Sequence, residues 1–359
     1  MELIVFKNFF RNKTQQMIGL DIGTRYVKAV LLEKDNQQFK VQSIACEAII
    51  GNAFVEREVK DFEAVSLALK KVKKGLKNKC KNVAIAVSGS SVLSKVVFMD
   101  PNQTDFELES QIELEADSLI PYPLDEVYID FEELGPSKTN NAKVDVLLSA
   151  AHKDIVDKRI TLLGEVGYEA KVIDVESYSL GSALTQLYPD NEGQPLVCIN
   201  IGASHLQCCA VKEGRVIYVK EHAFGLDPLI QELGMLYTLE RSEVETQLHT
   251  GSLPENWKQD VYPLFLSNLV QQITRSIQMC VSTTMEAQPT AILISGGGSN
   301  LVNIDKDLAA ELAIDVEIFN PFADMQVSAK IEPQDIMTIA PQFAIAAGLA
   351  SRSFSPWHI

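Results

Sequence analysis

The chain has 359 residues, 46% of them hydrophobic, with 32 Lys and Arg against 48 Asp and Glu for a net charge of −16. That apolar content supports a substantial core in two or more lobes and excludes general disorder, which pairs low hydrophobicity with high charge. The acidity excludes a protein whose whole surface binds nucleic acid, because neutralising phosphates takes Lys and Arg on the contact face, but it leaves room for a local basic patch.

Residues 1–16 set Leu3, Phe6 and Phe10 at helical spacing among Lys7, Arg11 and Lys13. Two readings stay open: an N-terminal extension packed on its own domain, and a short interfacial foot in peripheral contact with an anionic membrane. No signal peptide opens the chain, and no apolar run approaches the ~20 residues of a spanning helix. The expected location is cytoplasmic. Strand-like runs follow at 17–22, 26–32 and 39–48, the first two joined by a tight turn at Gly23-Thr24. Residues 62–77 keep a helical period with Phe62, Val65, Leu69, Val72 and Leu76 inward. Seven lysines crowd positions 70–81 with no acid among them, which suits either a solvated face or a contact with phosphate, lipid or a partner. A buried strand is expected at 83–87.

Thr104 and Glu107 form a capping box for a helix that stops before Pro121. Eleven acids and no base lie between 105 and 133, so this region reads as a separate small α+β unit ending in a strand at 144–151. The helix face with Glu107, Glu109, Glu113 and Asp117 is either solvated or steers a basic partner. A helix at 154–166, a strand at 170–175 and a helix at 176–187 follow, then a linker over 188–193. Beyond it the opening pattern returns as strands 196–201, 206–212 and 216–221, which suggests a duplicated lobe. Helices near 228–236, 240–249 and 258–286 precede strand 290–295, a glycine loop, a further helix and strand 315–319. Helix 340–352 closes the pattern. The six cysteines lack any C-x-x-C spacing and read as reduced, mostly buried thiols rather than metal ligands.

Chemistry concentrates in Gly19-Leu20-Asp21-Ile22-Gly23-Thr24, with Lys28 beyond. A carboxylate ending a buried strand needs a cation or donors. Asp21 could hold Mg2+ through water, Gly23 permits the sharp turn, and the amides of Gly23 and Thr24 can point at a phosphate, with Lys28 as a point charge. Taken alone, an ordinary β-hairpin explains the string equally well. The second lobe repeats the device at Asn200-Ile201-Gly202-Ala203-Ser204, and Gly296-Gly297-Gly298 follow another buried strand and precede a helix, where glycines let backbone approach a nucleotide. Small residues at Ser177, Ser179, Gly181, Ser182 and Ala183, and at Ala344, Ala346, Ala347 and Gly348, suit two closely packed helices.

Together these five pieces resemble the actin, heat-shock chaperone and sugar-kinase ATPase superfamily. Within it the chain is similar to the PilM family of actin-like type IV pilus assembly proteins, on MIGLDIGTRYVKAV (17–30), LEADSLIPYPLDEVYIDFE (114–132), KVIDVESYSL (171–180), NPFADM (320–325) and AIAAGLASRSF (344–354). The resemblance implies an α/β, actin-like, ribonuclease H-like duplicated two-lobed fold with an FtsA-like 1C insert. Its expected boundaries are 1–88 for subdomain 1A with the N-terminal extension, 89–168 for 1C, and 169–192 for the return of 1A. Subdomain 2A takes 193–225 and 289–338, 2B takes 226–288, and 339–359 is the closing helix of 1A.

The resemblance further implies ATP and Mg2+ as cofactors. Asp21, Gly23, Thr24 and Lys28 match the first phosphate motif, with Asp21 toward the metal. Gly202 and Ala203 match the second, and Gly296, Gly297 and Gly298 the adenosine loop. Glu176 falls where hydrolytic members orient water, while Asp174 is left between a metal-shell and a structural role. Asn200 departs from the superfamily's Asp: an amide neither serves as a base nor neutralises Mg2+, so slow or negligible hydrolysis is expected. The implied partners are the cytoplasmic N-terminal tail of PilN, near the 1A/1C junction, and other inner-membrane pilus platform proteins. The implied place is the cytoplasmic face of the inner membrane; self-association stays open. The alternatives are an FtsA-like cell-division or membrane-scaffold protein, against which the short end at 354–359 counts, and a sugar-kinase-type enzyme, for which no substrate base is evident.

Overall fold

A computed structural model describes residues 16–354 apart from 36–37, 56, 90–91, 138–139, 189–192, 255, 330 and 332. The interfacial reading of the N-terminal extension and most of the expected linker fall outside these residues. Strand β1 (Ile18–Ile22) is buried throughout, and β2 (Tyr26–Asp35) and β3 (Gln38–Ala48) fold back antiparallel beside it with Asp21 opposite Lys28. A short hairpin, β4 (Phe54–Val55) and β5 (Glu58–Val59), leads into α1 (Phe62–Leu76). Asp61 caps α1 by accepting from the Ala64 N–H at 3.0 Å. Val65, Leu69, Val72 and Leu76 are buried as the period demands, whereas Phe62, expected inward, is 38% exposed because it opens the first turn. Strand β6 (Asn82–Val87) then joins β1 in parallel.

Strand β7 (Val92–Met99), helix α2 (Asp105–Leu119), β8 (Val127–Pro136) and β9 (Val144–His152) form a separate sheet in the order β7-β9-β8. The capping box is made: Glu107 accepts from the Thr104 N–H at 2.8 Å and donates its own N–H to the Thr104 hydroxyl at 3.3 Å. Leu108, Ile112 and Ala116 of α2 pack on Val146 and Leu148 in a core of their own. Helix α3 (Lys153–Val166), β10 (Glu169–Val175) and α4 (Glu176–Leu187) follow. Although α3 falls in the expected 89–168 insert, it lends Leu162, Leu163 and Val166 to the core beneath α1.

The second lobe opens with β11 (Leu196–Ile201), β12 (Leu206–Lys212) and β13 (Arg215–His222). Helices α5 (Asp227–Tyr237), α6 (Arg241–Thr250), α7 (Trp257–Asp260) and α8 (Tyr262–Thr284) come next. The single helix expected at 258–286 is divided at Val261, because Pro263 in the first turn of α8 cannot continue a helix begun before it. Strand β14 (Ala291–Ser295), α9 (Ile304–Leu312) and β15 (Asp315–Ile318) complete this lobe. The chain then returns: β16 (Gln326–Val327) pairs with β3, and α10 (Pro333–Ile339) leads to α11 (Ala344–Ser351). The expected helix at 340–352 opens as a 3-10 turn over Ala340–Phe343, with Pro341 in its first positions.

The two principal sheets share one plan. The first runs β10-β6-β1-β2-β3 with β16 at its edge, and the second runs β15-β14-β11-β12-β13. In each, three antiparallel strands of a double hairpin are extended by two parallel ones. Between the sheets lie α4 and α11, whose Leu180, Ala183, Leu184, Ile345 and Leu349 form one cluster with Cys198, Cys209 and Leu293 of the second sheet. A Cβ at Gly348 would stand 1.8 Å from the Ser179 carbonyl oxygen, so the helices meet backbone to backbone there. Other small residues let these helices approach the sheets: Gly181 lies against Val216 and Cys209, and Ala346 against Gly19 of β1.

Candidate functional site

Where the C-terminal ends of β1 and β11 face each other, a cavity of about 540 Å3 opens between the lobes. Its walls bring together Asp21, Gly23, Thr24, Lys28 and Glu176 from the first lobe with Asn200, Gly202, Ala203, Gly296 and Gly297 from the second. Of the residues singled out from sequence, Gly298 is not on this wall; its α-carbon packs on Ile201, where a Cβ would lie 2.3 Å from Cγ2. The two turns are built alike. Gly23 N–H donates to the Tyr26 carbonyl at 3.0 Å and Gly202 N–H to the His205 carbonyl at 2.9 Å. The Gly23 amide expected to face a phosphate is therefore spent inside its own turn. Thr24 and Ser204, 180 residues apart, meet hydroxyl to hydroxyl at 3.3 Å across the cleft.

Lys28 Nζ donates to Asp21 Oδ2 at 2.5 Å, and both side chains are nearly enclosed. Burial pushes the Asp21 carboxyl up against the downward pull of Lys28. Burial opposes the Lys28 charge, but Asp21 outweighs it and keeps the ammonium above its ordinary value. The pair thus presents a cation at the floor of the cleft with its counter-charge beside it. Asn200 is engaged on both ends: Oδ1 accepts from Ser295 Oγ at 3.1 Å and Nδ2 donates to Gln207 Oε1 at 3.4 Å. The Asp174 carboxylate holds Arg352 Nη2 at 2.6 Å and Nε at 2.7 Å, and Asp174 is not on the cavity wall.

Sequence reasoning passed over Arg57. It stands on the β4–β5 turn at φ 71 and reaches across the cleft, its guanidinium ion-paired with Glu176 of the first lobe and Glu221 of the second. Nη1 also donates to Ser88 Oγ at 2.5 Å, while Nε is buried with no partner. Burial opposes the Glu176 charge, but Arg57 reverses that effect and holds the carboxyl below its ordinary range. No spacing rule leads to a lone arginine in an aperiodic turn. Sequence reasoning also passed over Tyr26, which lies two residues before Lys28 on one strand face and whose hydroxyl donates to Glu245 of α6 at 2.7 Å. Glu245 in turn accepts from Arg241 Nε at 2.8 Å, and Arg241 pairs with Asp227. His205, bonded to Ser204 through Nδ1 at 2.9 Å, is lowered to about 4 by burial and then by Arg57, so it is neutral at pH 7.

Beyond this polar floor the second lobe supplies Leu226, Ile230, Leu248 and Leu301. A Cβ at Gly297 would meet no protein atom within 4 Å, which leaves open space against the wall. A cavity with cations and hydroxyls at one end and apolar side chains at the other suits an anionic ligand carrying a flat organic group. All six cysteines are free; Cys46 lines the cavity half-buried, and burial raises its thiol to about 11.

Residues 19–354 match the family model described as type IV pilus assembly protein PilM. The chain belongs to the PilM family. Among solved structures, the PilM-PilN type IV pilus biogenesis complex superposes with a TM-score of 0.81 at 22% identity, covering 96% of this chain and 100% of that one. The ethanolamine utilization protein EutJ from Carboxydothermus hydrogenoformans follows at a TM-score of 0.56 and 14% identity, over 97% of this chain and 93% of that one. The nucleotide-free diol dehydratase-reactivating factor reaches 0.54 at 10% identity, over 95% of this chain and 100% of that one. The fold is thus the actin-like, two-lobed α/β fold expected from the sequence, and PilM membership places the chain in type IV pilus assembly.

Proposed function

We propose that this PilM-family chain is an ATP-occupied clamp that holds the N-terminal tail of PilN at the cytoplasmic face of the inner membrane. The observation carrying the nucleotide reading is the facing pair of identical turns, with Lys28 and Asp21 beneath them and the Thr24–Ser204 contact between them. Lys28 and the Thr24 and Ser204 hydroxyls would meet the phosphates, Asp21 would face Mg2+ through water, and the Gly296-Gly297 backbone with Leu226 and Leu301 would take the base. A bound Mg2+ would neutralise phosphate charge.

Hydrolysis is proposed to be slow for two reasons. Asn200 is an amide locked by Ser295 and Gln207, and Glu176 is held by Arg57 rather than free to orient water. Pure protein with ATP and Mg2+ is expected to release phosphate near background; vigorous release refutes this. The PilN reading rests on PilM membership and on the likeness to the PilM-PilN complex. We place the tail near the junction of the first lobe with the β7-β9-β8 unit, taken here as an FtsA-like insert. No helix among the described residues is long and apolar enough to cross a membrane, so attachment would come through partners. Calorimetry with a peptide copying the cognate PilN N-terminal tail, with and without ATP, tests the assignment. Binding is expected with ATP, and failure in both states overturns it. Asp21→Ala is the matching control and should weaken ATP retention.

A further inference from the structure

Two helix faces are left uncovered by the fold, and they carry opposite charge. On α1 the outer side is Leu67, 47% exposed, with Lys70, Lys71 and Lys74 around it. On α2 it is Phe106 and Leu114, 71% and 86% exposed, with Glu113 and Asp117 alongside. Large apolar side chains so open on one helix mark a contact surface. Lys73 does not belong to the basic face: it donates to the Val166 and Gly167 carbonyls at 2.7 and 2.9 Å and fastens α1 to the end of α3. Among the described residues no salt bridge engages Lys70, Lys71, Lys74, Glu113 or Asp117. The faces sit on different units, since α1 packs on β2, β3 and α3, and α2 on the β7-β9-β8 sheet.

The two faces also match in spacing. Residues three and four apart stand about 6 Å from each other on one side of a helix. Leu67, Lys70 and Lys74 occupy i, i+3 and i+7, and Ser110, Glu113 and Asp117 repeat those positions on α2. Phe106 and Leu114 lie one turn to either side of Ser110, whose hydroxyl is folded back onto the Phe106 carbonyl at 2.9 Å. Laid side by side in parallel, the helices bring Lys70 to Glu113 and Lys74 to Asp117, while Leu67 enters the gap over Ser110 between Phe106 and Leu114. The antiparallel arrangement pairs the same charges but carries Leu67 past the end of α2 at Leu119, away from both apolar side chains.

We propose that the α1 face of one copy of this chain docks on the α2 face of the next. A second copy is the occupant that both faces specify, because each supplies what the other lacks in sign, in spacing and in apolar surface. Two molecules of net charge −16 repel each other unless a basic face of one meets an acidic face of the other, so charge selects this approach. The contact is head-to-tail: each docked copy still offers one free face of each kind, and the array extends as a chain or closes as a ring. A single pair of helices buries less than the roughly 800 Å2 per partner of a standard stable interface, so the association is weak and reversible. None of these side chains lines the cleft, which stays open to its ligand in the array.

The test is sedimentation velocity of the full chain at low salt, over concentrations up to about 100 µM, where a weak contact of this size is populated. The mean mass should rise with concentration and return to the monomer in about 0.5 M salt, where charges are screened within ~4 Å. K70E/K74E and E113K/D117K should each weaken association at least about tenfold. Their equimolar mixture should restore it, because the reversed α1 face then meets the reversed α2 face. F106S/L114S should weaken it about tenfold at unchanged charge. K258E/K306E, at exposed lysines of the other lobe, should associate like the parent, and unchanged melting temperatures show that the variants fold. The proposal is overturned by a parent that stays monomeric at every concentration, by association that survives either reversal, by a mixture that stays monomeric, or by equal loss in the control variant.

Discussion

Replacing Arg57 by Met should expose how much one guanidinium contributes to joining the lobes. It compensates two carboxylates, Glu176 and Glu221, whose side chains are 17% and 25% exposed. Removing one partner of a fully buried pair costs about 3–5 kcal/mol. Both carboxylates here border a cavity that admits water, so about 2–4 kcal/mol is the proper figure. At about 2–4 °C per kcal/mol, the melting temperature should fall by roughly 4–16 °C at pH 7. The pH dependence supplies the sharper check. Glu176 has its carboxyl lowered by Arg57, so its contribution is present above the ordinary value and lost as pH falls through the folded one. In the variant that contribution is missing and both carboxylates can protonate, so the deficit should narrow below about pH 4.5. Thermal unfolding of the parent, R57M, E176Q and R57M/E176Q across pH closes the cycle. A coupling energy below about 0.5 kcal/mol, or a deficit independent of pH, would refute the reasoning.

Other perturbations address separate features. Gly348→Ala drives a methyl into the Ser179 carbonyl and should destabilise the fold by about 3 kcal/mol in chemical denaturation; a cost under 1 kcal/mol would mean that α4 and α11 separate freely. Asn200→Asp sets a carboxylate oxygen against Gln207 Oε1, and flipping Gln207 sacrifices its 3.3 Å bond to Glu221, so a loss of about 1–2 kcal/mol at neutral pH is expected by calorimetry. If the amide is also what slows turnover, that variant should release phosphate faster than the parent. His205 should titrate near 4 by NMR. Because the unfolded chain binds this proton first, stability should be lost as pH falls from about 6.5 toward 4, by about 1–2 kcal/mol; the H205Q variant should lack that slope.

The sequence exposed the repeated elements because their burial is uniform. Strands 196–201 and 206–212 and helix 176–187 match the structure end to end, since continuous apolar runs and small-residue helices have few other interpretations. Strands β7 and β8 were missed for the converse reason. Val96 and Phe98 of β7 are about half exposed, and β8 is broken by Asp130, Glu132 and Glu133, so neither shows a clean alternation. Within the cleft, Asp21 and the glycine turns were legible because each lies at a strand end where the chain must reverse, and Lys28 because it follows such a turn by four residues. Arg57 and the Tyr26–Glu245 contact were not, because they join residues 219 positions apart or sit in an aperiodic turn, and only the closed fold brings them together.

These cross-cleft contacts also bear on whether the lobes move. The cluster between α4 and α11 is apolar and buried, so it would stay fixed if the lobes moved relative to each other. At the mouth the lobes meet through small polar contacts: Thr24 with Ser204, Tyr26 with Glu245, and Arg25 Nε with Asp227 at 3.6 Å. Each such contact at a wetted edge contributes about 1 kcal/mol or less. Only Arg57 to Glu221 is more enclosed. A ligand that binds the closed state alone at a thousandfold excess over its Kd adds about 4 kcal/mol, comparable to the whole row. Retained nucleotide would therefore hold the closed state in large excess, and opening would have to follow nucleotide loss. A chain that hydrolyses slowly has no fast route to that loss. It follows that the occupied protein should present its partner surface as one rigid body.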